Sequence, residues 1–188
     1  MAYIWITFVR MNSPPLLKTA LNYGVLCALT SFTVFMGLYW AGLNPLETII
    51  TWVDSWIPIV FMVLAALHYR NRENQGMITY WQAFRMGFLT ATFGALLYGA
   101  MVWIFGTVGD GQFLDLIKQE RLSAMELSEG FMKSFMGESA YEQGLEYINN
   151  MDMAFVATEE IRDKTLGGLL CAFITAAFTR REPRYTEE

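Results

Sequence analysis

Arg85-Met-Gly-Phe-Leu-Thr-Ala-Thr-Phe-Gly-Ala-Leu-Leu-Tyr-Gly-Ala-Met-Val-Trp-Ile-Phe-Gly-Thr-Val-Gly-Asp110 is the stretch on which the fold of this chain turns. Its 24 inner residues carry no charge, and a helix of that length crosses the hydrocarbon core of a bilayer with a modest tilt. Gly87, Ala91, Ala95 and Gly99 recur at every fourth position. Side chains four apart share one helical face, so this stripe of small residues lets a second helix approach closely.

Composition agrees with a membrane setting. Of the 188 residues, 54% are apolar and 16% charged, a balance shifted away from ordinary soluble usage and toward several spans with one polar segment. Cys27 and Cys171 both stand in apolar runs and supply neither a disulfide framework nor metal-ligand spacing. A nucleic-acid partner would need a basic stripe, and the net charge of -5 comes with none.

Working upstream, residues 19–46 are uncharged, and Ala20, Gly24 and Ala28 make a second small-residue stripe before the interfacial aromatics Tyr39 and Trp40. Asn44 followed by Pro45 and Glu47 reads as the capped start of a second helix running to Tyr69. Within it Pro58 removes a backbone donor and is expected to kink the helix. The first ten residues resemble neither a signal peptide nor a span, and Met11 is an alternative start. Downstream of Asp110 lies the one extended polar region, where Phe113, Leu116, Ile117, Leu122, Met125 and Leu127 predict one or two short amphipathic helices among acidic residues. Residues 165–179 are uncharged, and Gly168, Ala172 and Ala176 give this last helix a third stripe, with Lys164 and Arg180 positioned to snorkel at its ends.

The predicted architecture is an all-α integral membrane bundle of four transmembrane helices, a single domain over 1–188. Its spans are about 20–41, 49–69, 86–108 and 161–180, with a partly helical outer segment over 109–160. With the N-terminus inside, Arg10, Lys18, Arg70, Arg72, Arg85, Arg180, Arg181 and Arg184 cluster against span ends on one side. The remaining five basic residues are spread through a longer acidic stretch on the other side. The bias of basic residues in short loops then places both termini in the cytoplasm.

The segment Gly76-Met-Ile-Thr-Tyr-Trp-Gln-Ala-Phe-Arg-Met-Gly87 resembles the Gly-x-Ile-(Ser/Thr)-(Phe/Tyr)-x-x-Ala-Phe-(Lys/Arg)-x-Gly signature of a bacterial membrane family known as domain of unknown function 4199. The resemblance extends from about Asn12 to Arg181. It implies a four-helix protein of the bacterial inner membrane and brings no activity, substrate, cofactor or catalytic residue with it. Physically the motif reads as an anchor and helix start: Gly76 for a turn, Tyr80, Trp81 and Phe84 at headgroup level, Arg85 toward lipid phosphate.

Among residues with chemistry to offer, Asp54 stands out, because an acid at membrane depth is costly unless paired or wet. Its expected partners are Arg162 and Lys164 at the same level of the last helix. His68 is the one histidine, and it is predicted on the opposite side of the bilayer from Glu159 and Glu160, which removes the only His–carboxylate combination. No nucleophile motif, phosphate loop or dinucleotide fingerprint is present.

The expectation is therefore a non-enzymatic scaffold or accessory subunit without cofactor or metal. It sits in the lipid bilayer and contacts a membrane-protein partner or its own copies through the outer segment. The alternative is a small transporter or channel using Asp54.

Overall fold

The computed structural model describes residues 15–46 and 55–181, and its described residues are all-α. Seven α-helices follow in order: α1 (Pro15–Trp40), α2 (Trp56–His68), α3 (Tyr80–Ile104), α4 (Phe113–Leu127), α5 (Glu129–Met136), α6 (Glu138–Asn150) and α7 (Met153–Thr179). Wider turns of π-helix extend α2 over Tyr69–Glu73 and α3 over Phe105–Gly109. Two helical stretches, Pro15–Trp40 and Tyr80–Gly109, are long and apolar enough to cross a membrane.

The resemblance motif proves to be the device that starts and seats α3. Gly76 takes φ +81°, a left-handed turn that a side chain would strain. Thr79 then caps the helix: its hydroxyl accepts from the Gln82 amide while the Gln82 side chain accepts from the Thr79 amide. This reciprocal box satisfies two backbone donors that a helix start otherwise leaves unpaired. Ala83, Met86 and Gly87 follow as fully buried residues.

α3 lies between α1 and α7, and α2 packs on all three. The stripe of Gly87, Ala91, Ala95 and Gly99 meets α7, and Met62 of α2 packs in the same cluster as Ala91. A Cβ on Gly87 would lie 3.4 Å from the Ala172 Cβ, one on Gly168 would lie 2.5 Å from the Ala91 Cβ, and Gly99 faces Ala157 and Ile161. Ala95, Ala172 and Ala176 are buried along the same seam. α1 instead uses a second face of α3, where Gly24 rests on the Thr90 carbonyl, the Phe93 Cβ and the Gly94 amide. Gly94 and Thr90 were not foreseen as a seat. The buried hydroxyls of Thr90, Thr175 and Thr179 return to carbonyls of their own helices, so these polar side chains sit inside without orphaned groups.

α7 begins at Met153, ahead of the span expected over 161–180: Asp152 caps it by accepting from the Phe155 amide at 2.7 Å, and the helix runs through Glu159–Lys164 without a break. The region 109–160 contains three helices where one or two were expected, α4 to α6, followed by the first turns of α7. Pro58 lies two residues after Trp56 in the described helix; the kink expected there involves residues 47–54, which lie outside the described residues. The expected helix start at Pro45 falls on a turn, and residues 47–54 lie outside the described residues.

Gly167 and Gly168 offer a matched test of the α3–α7 seam. A Cβ at Gly168 would press on Ala91, whereas one at Gly167 meets nothing within 4 Å. Gly168→Ala is expected to destabilise the protein in detergent by about 1–3 kcal/mol, the usual cost of overpacking. Gly167→Ala should be neutral or slightly stabilising through helix propensity. Thermal melts of the two variants side by side give the check, and equal behaviour would contradict the seam.

Candidate functional site

The sequence-predicted polar residues are not brought together as one site among the described residues. Asp54 lies outside them. Arg162, one of its expected partners, is exposed and pairs with Asp163 at 2.9 Å and Glu159 at 3.8 Å. Lys164, the other, places its ammonium over the Tyr98 ring, 4.4 Å from the centroid, a cation–π contact between α7 and α3. His68 packs its ring 5.7 Å from that of Tyr23, at the opposite end of the bundle from Glu159 and Glu160. Cys27 faces Gly94 on the α1–α3 seam, whereas Cys171 belongs with Met62, Ala91 and Ala172, so the thiols occupy different seams. Among the described residues no group of three His, Cys, Asp or Glu side chains is placed to hold a metal ion.

What the fold does build is a cleft of about 890 Å³ between α2, α4 and α7. Its outer part is lined by Glu120 and Arg121 of α4 and by Glu159, Glu160, Asp163 and Lys164 of α7. Its deeper part is lined by Ile59 and Met62 of α2 and by Gly167, Gly168 and Cys171 of α7. Sequence reasoning missed this cleft because its walls come from segments about 40 to 110 residues apart.

α4 is held over the bundle end by contacts that begin in the core. Phe113 and Ile117 are completely buried with Phe35, Tyr98 and Val102, and Met151 and Met153 return to the same cluster. Phe35 and Phe105 lie edge-to-face at 5.4 Å, and Phe35 and Phe113 at 5.5 Å. Such aromatic pairs add about 0.5–1.5 kcal/mol each beyond their burial. Polar ties reinforce the roof: Asn44 donates to Glu120, and Arg121 pairs with Glu159 at 2.8 Å with 17% of the Glu159 side chain exposed. Tyr147 of α6 donates to the same carboxylate at 3.3 Å. Glu159 thereby joins α4, α6 and α7.

Asp110 sets the entry to α4. One carboxylate oxygen accepts from the Gln112 amide at 2.9 Å and the other from the Tyr39 hydroxyl at the end of α1. The Tyr39 hydrogen bond, with help from the Gln112 amide, holds the Asp110 pKa below the usual carboxylate value. Beyond the roof, α5 turns an apolar face outward. Phe131, Phe135 and Met136 are 70, 79 and 59% exposed, as is Leu127 at the end of α4 at 91%, while Met132 packs inward on the cluster of Met125, Tyr141 and Ile148. The Phe131 and Phe135 rings stack one turn apart, 5.7 Å between centroids.

Among known proteins, a family model described as "Protein of unknown function (DUF4199)" matches residues 22–181. No curated protein and no solved structure matches the chain. The chain belongs to the DUF4199 family.

Because the Asp110 pKa is lowered by folding, its hydrogen bonds stabilise the protein fully above the unfolded value of about 3.9, and that contribution is lost as pH falls through the lowered folded value. Tyr39→Phe removes the leading cause. Melting curves taken from pH 6 down to pH 2 should show the variant less stable than wild type at pH 6, with the gap closing below about pH 4. A gap independent of pH would show that this pair does not act as described.

Proposed function

We propose that this member of the DUF4199 family is a four-span integral membrane protein of the bacterial inner membrane with both termini in the cytoplasm. In this reading it works without catalysis, as a scaffold or accessory subunit whose outer helices α4 to α6 hold a protein partner.

The membrane part of the reading is supported by the polarity of the bundle, which is the reverse of a soluble protein's. The seams are made of Gly, Ala and Thr, whereas Val25, Leu26, Leu29, Val60, Leu64, Leu96, Leu166, Leu170, Phe173, Ile174 and Phe178 all face outward. Exposed apolar side chains on these helices, two of which are long and apolar enough to cross a membrane, support a lipid environment. α7 carries charges over 159–164 yet is apolar along its whole outward face from Leu166 to Phe178. The orientation is supported by Lys18, Arg70, Arg72, Arg85, Arg180 and Arg181, which gather at the bundle end where Ile78 and Arg181 exchange main-chain hydrogen bonds of 3.0 and 2.8 Å.

The single observation that carries the partner reading is the outward face of α5. Phe131 and Phe135 stand four residues apart on the outward side of α5, with Leu127 exposed at the end of α4, while Met132 of α5 packs inward on its own core. A helix with one face buried and a second apolar face in solvent has an unmet packing demand. In-cell crosslinking followed by purification in mild detergent is the test. Wild type should co-purify with a defined partner, and Phe131→Ser with Phe135→Ser should lose it while the bundle remains monodisperse. Retention of the same partner by the double variant would contradict this use of α5.

A further inference from the structure

The outward surface of the bundle has two heights at its outer end, and residues far from the α5 face set the difference. α3 and α7 run antiparallel in a register fixed by Gly106 on Met153, Gly99 on Ile161, Ala91 on Gly168 and Gly87 on Ala172. Arg162 and Asp163 of α7 therefore stand level with Leu96 and Leu97 of α3. Every fourth residue of α7 from Ala154 to Phe178 is exposed, and this row passes from charged Arg162 to large apolar side chains at Leu166. Arg162 keeps 56% of its side chain exposed while paired with Asp163. On α2, Met62 meets Gly168 and Ala91, which puts the exposed Trp56 at the same level as Arg162. α3 continues beyond that level with exposed Trp103, Ile104 and Val108. α1 ends beside it at exposed Trp40, since Tyr39 packs on Phe105 and donates to Asp110. From Leu97 to Ile104 is about 10 Å by helical rise. At the inner end the two helices finish together: Tyr80 donates to the Phe173 carbonyl at 3.3 Å, and Ile78 exchanges hydrogen bonds with Arg181.

We infer that the outer leaflet is stepped around this bundle. It reaches Trp40 and Trp103 on the α1–α3 side and falls by about 10 Å, to Trp56 and Arg162, on the α2–α7 side, where lipids with shorter acyl chains gather. The inference rests on the membrane reading above. Trp81 to Trp103 on α3 spans about 33 Å, close to the roughly 30 Å of a bilayer core. The apolar row of α7 from Leu166 to Phe178 spans only about 18 Å. A bilayer thins against a short apolar surface, because deforming lipid costs less than holding an exposed ion pair in hydrocarbon. Arg162 can snorkel, but the short side chain of Asp163 cannot. The exposed Trp56 stands where an interfacial aromatic belongs. Tilting the bundle does not remove the step, because a tilt displaces both ends of α7, and its inner end is level with that of α3.

The test uses the full chain in phosphatidylcholine nanodiscs, with Cys27 and Cys171 replaced by Ala. Arg162→Cys and Leu96→Cys place single thiols at one level on two sides of the bundle, both at exposed positions. With acyl chains of about 18 carbons, a membrane-impermeant maleimide should label Arg162→Cys at least tenfold faster than Leu96→Cys, and transfer to detergent should bring the two rates together. In mixed bilayers, quenching of the native tryptophans by brominated lipids should show the wild-type chain preferring chains of about 14 carbons over about 22 by roughly threefold. Arg162→Leu with Asp163→Leu lengthens the apolar row of α7 by about one turn and should reduce that preference. A preference unchanged by the double variant would overturn the proposal. Slow labelling of both cysteines in nanodiscs would overturn the step and leave the membrane reading standing. Rapid labelling of both, at the rates seen in detergent, would overturn the membrane reading and the step with it.

Discussion

Everything in this bundle depends on how closely α7 can lie on α3. Gly168 brings its backbone so near Ala91 that a single added methyl would collide. Gly87 opposite Ala172 repeats the approach farther along. Small residues are what permit packing at such short range. The seam is also directional. Because Gly87, Ala91, Ala95 and Gly99 are committed to α7, α1 must find another face, and Gly24 takes the Thr90–Gly94 side. One helix with two close-packing faces therefore sets the order of the layers.

The close seams leave space elsewhere. α2 packs on the bundle, but its first turns and the outer half of α7 diverge enough to form the cleft, and α4 is drawn across that opening by Phe113 and Ile117. Glu159 then serves three neighbours at once through Arg121, Tyr147 and Arg162. A partly buried carboxylate with several charge-assisted partners fixes geometry more than it adds stability, since desolvation offsets much of the attraction. The roof is thus located by aromatic burial and oriented by one carboxylate. α5 projects from it with its own apolar face still uncovered.

How much of this could be read from residues alone follows from whether each signal is local. α1 and α3 were legible as helices because an uncharged run of more than 20 residues is a local property of the sequence. The α3–α7 stripe was legible for the same reason, as a four-residue repeat. The second face of α3 was not, because Thr90 and Phe93 do not read as small and only their backbone and Cβ atoms meet Gly24. The cleft was invisible for the most basic reason: it is a space between segments distant in sequence.

The α3–α7 seam can be tested directly by disulfide trapping in membranes. With Cys27 and Cys171 replaced by Ala, Gly87→Cys and Ala172→Cys would place two Cβ atoms about 3.4 Å apart, at the short edge of disulfide geometry. Mild oxidation should link them within one chain rapidly and nearly completely. Pairing Gly87→Cys with Ile174→Cys, on the outward face of α7, should give no intrachain link. Failure of the first pair to form, or equal linking by the second, would contradict the packing on which the whole account rests.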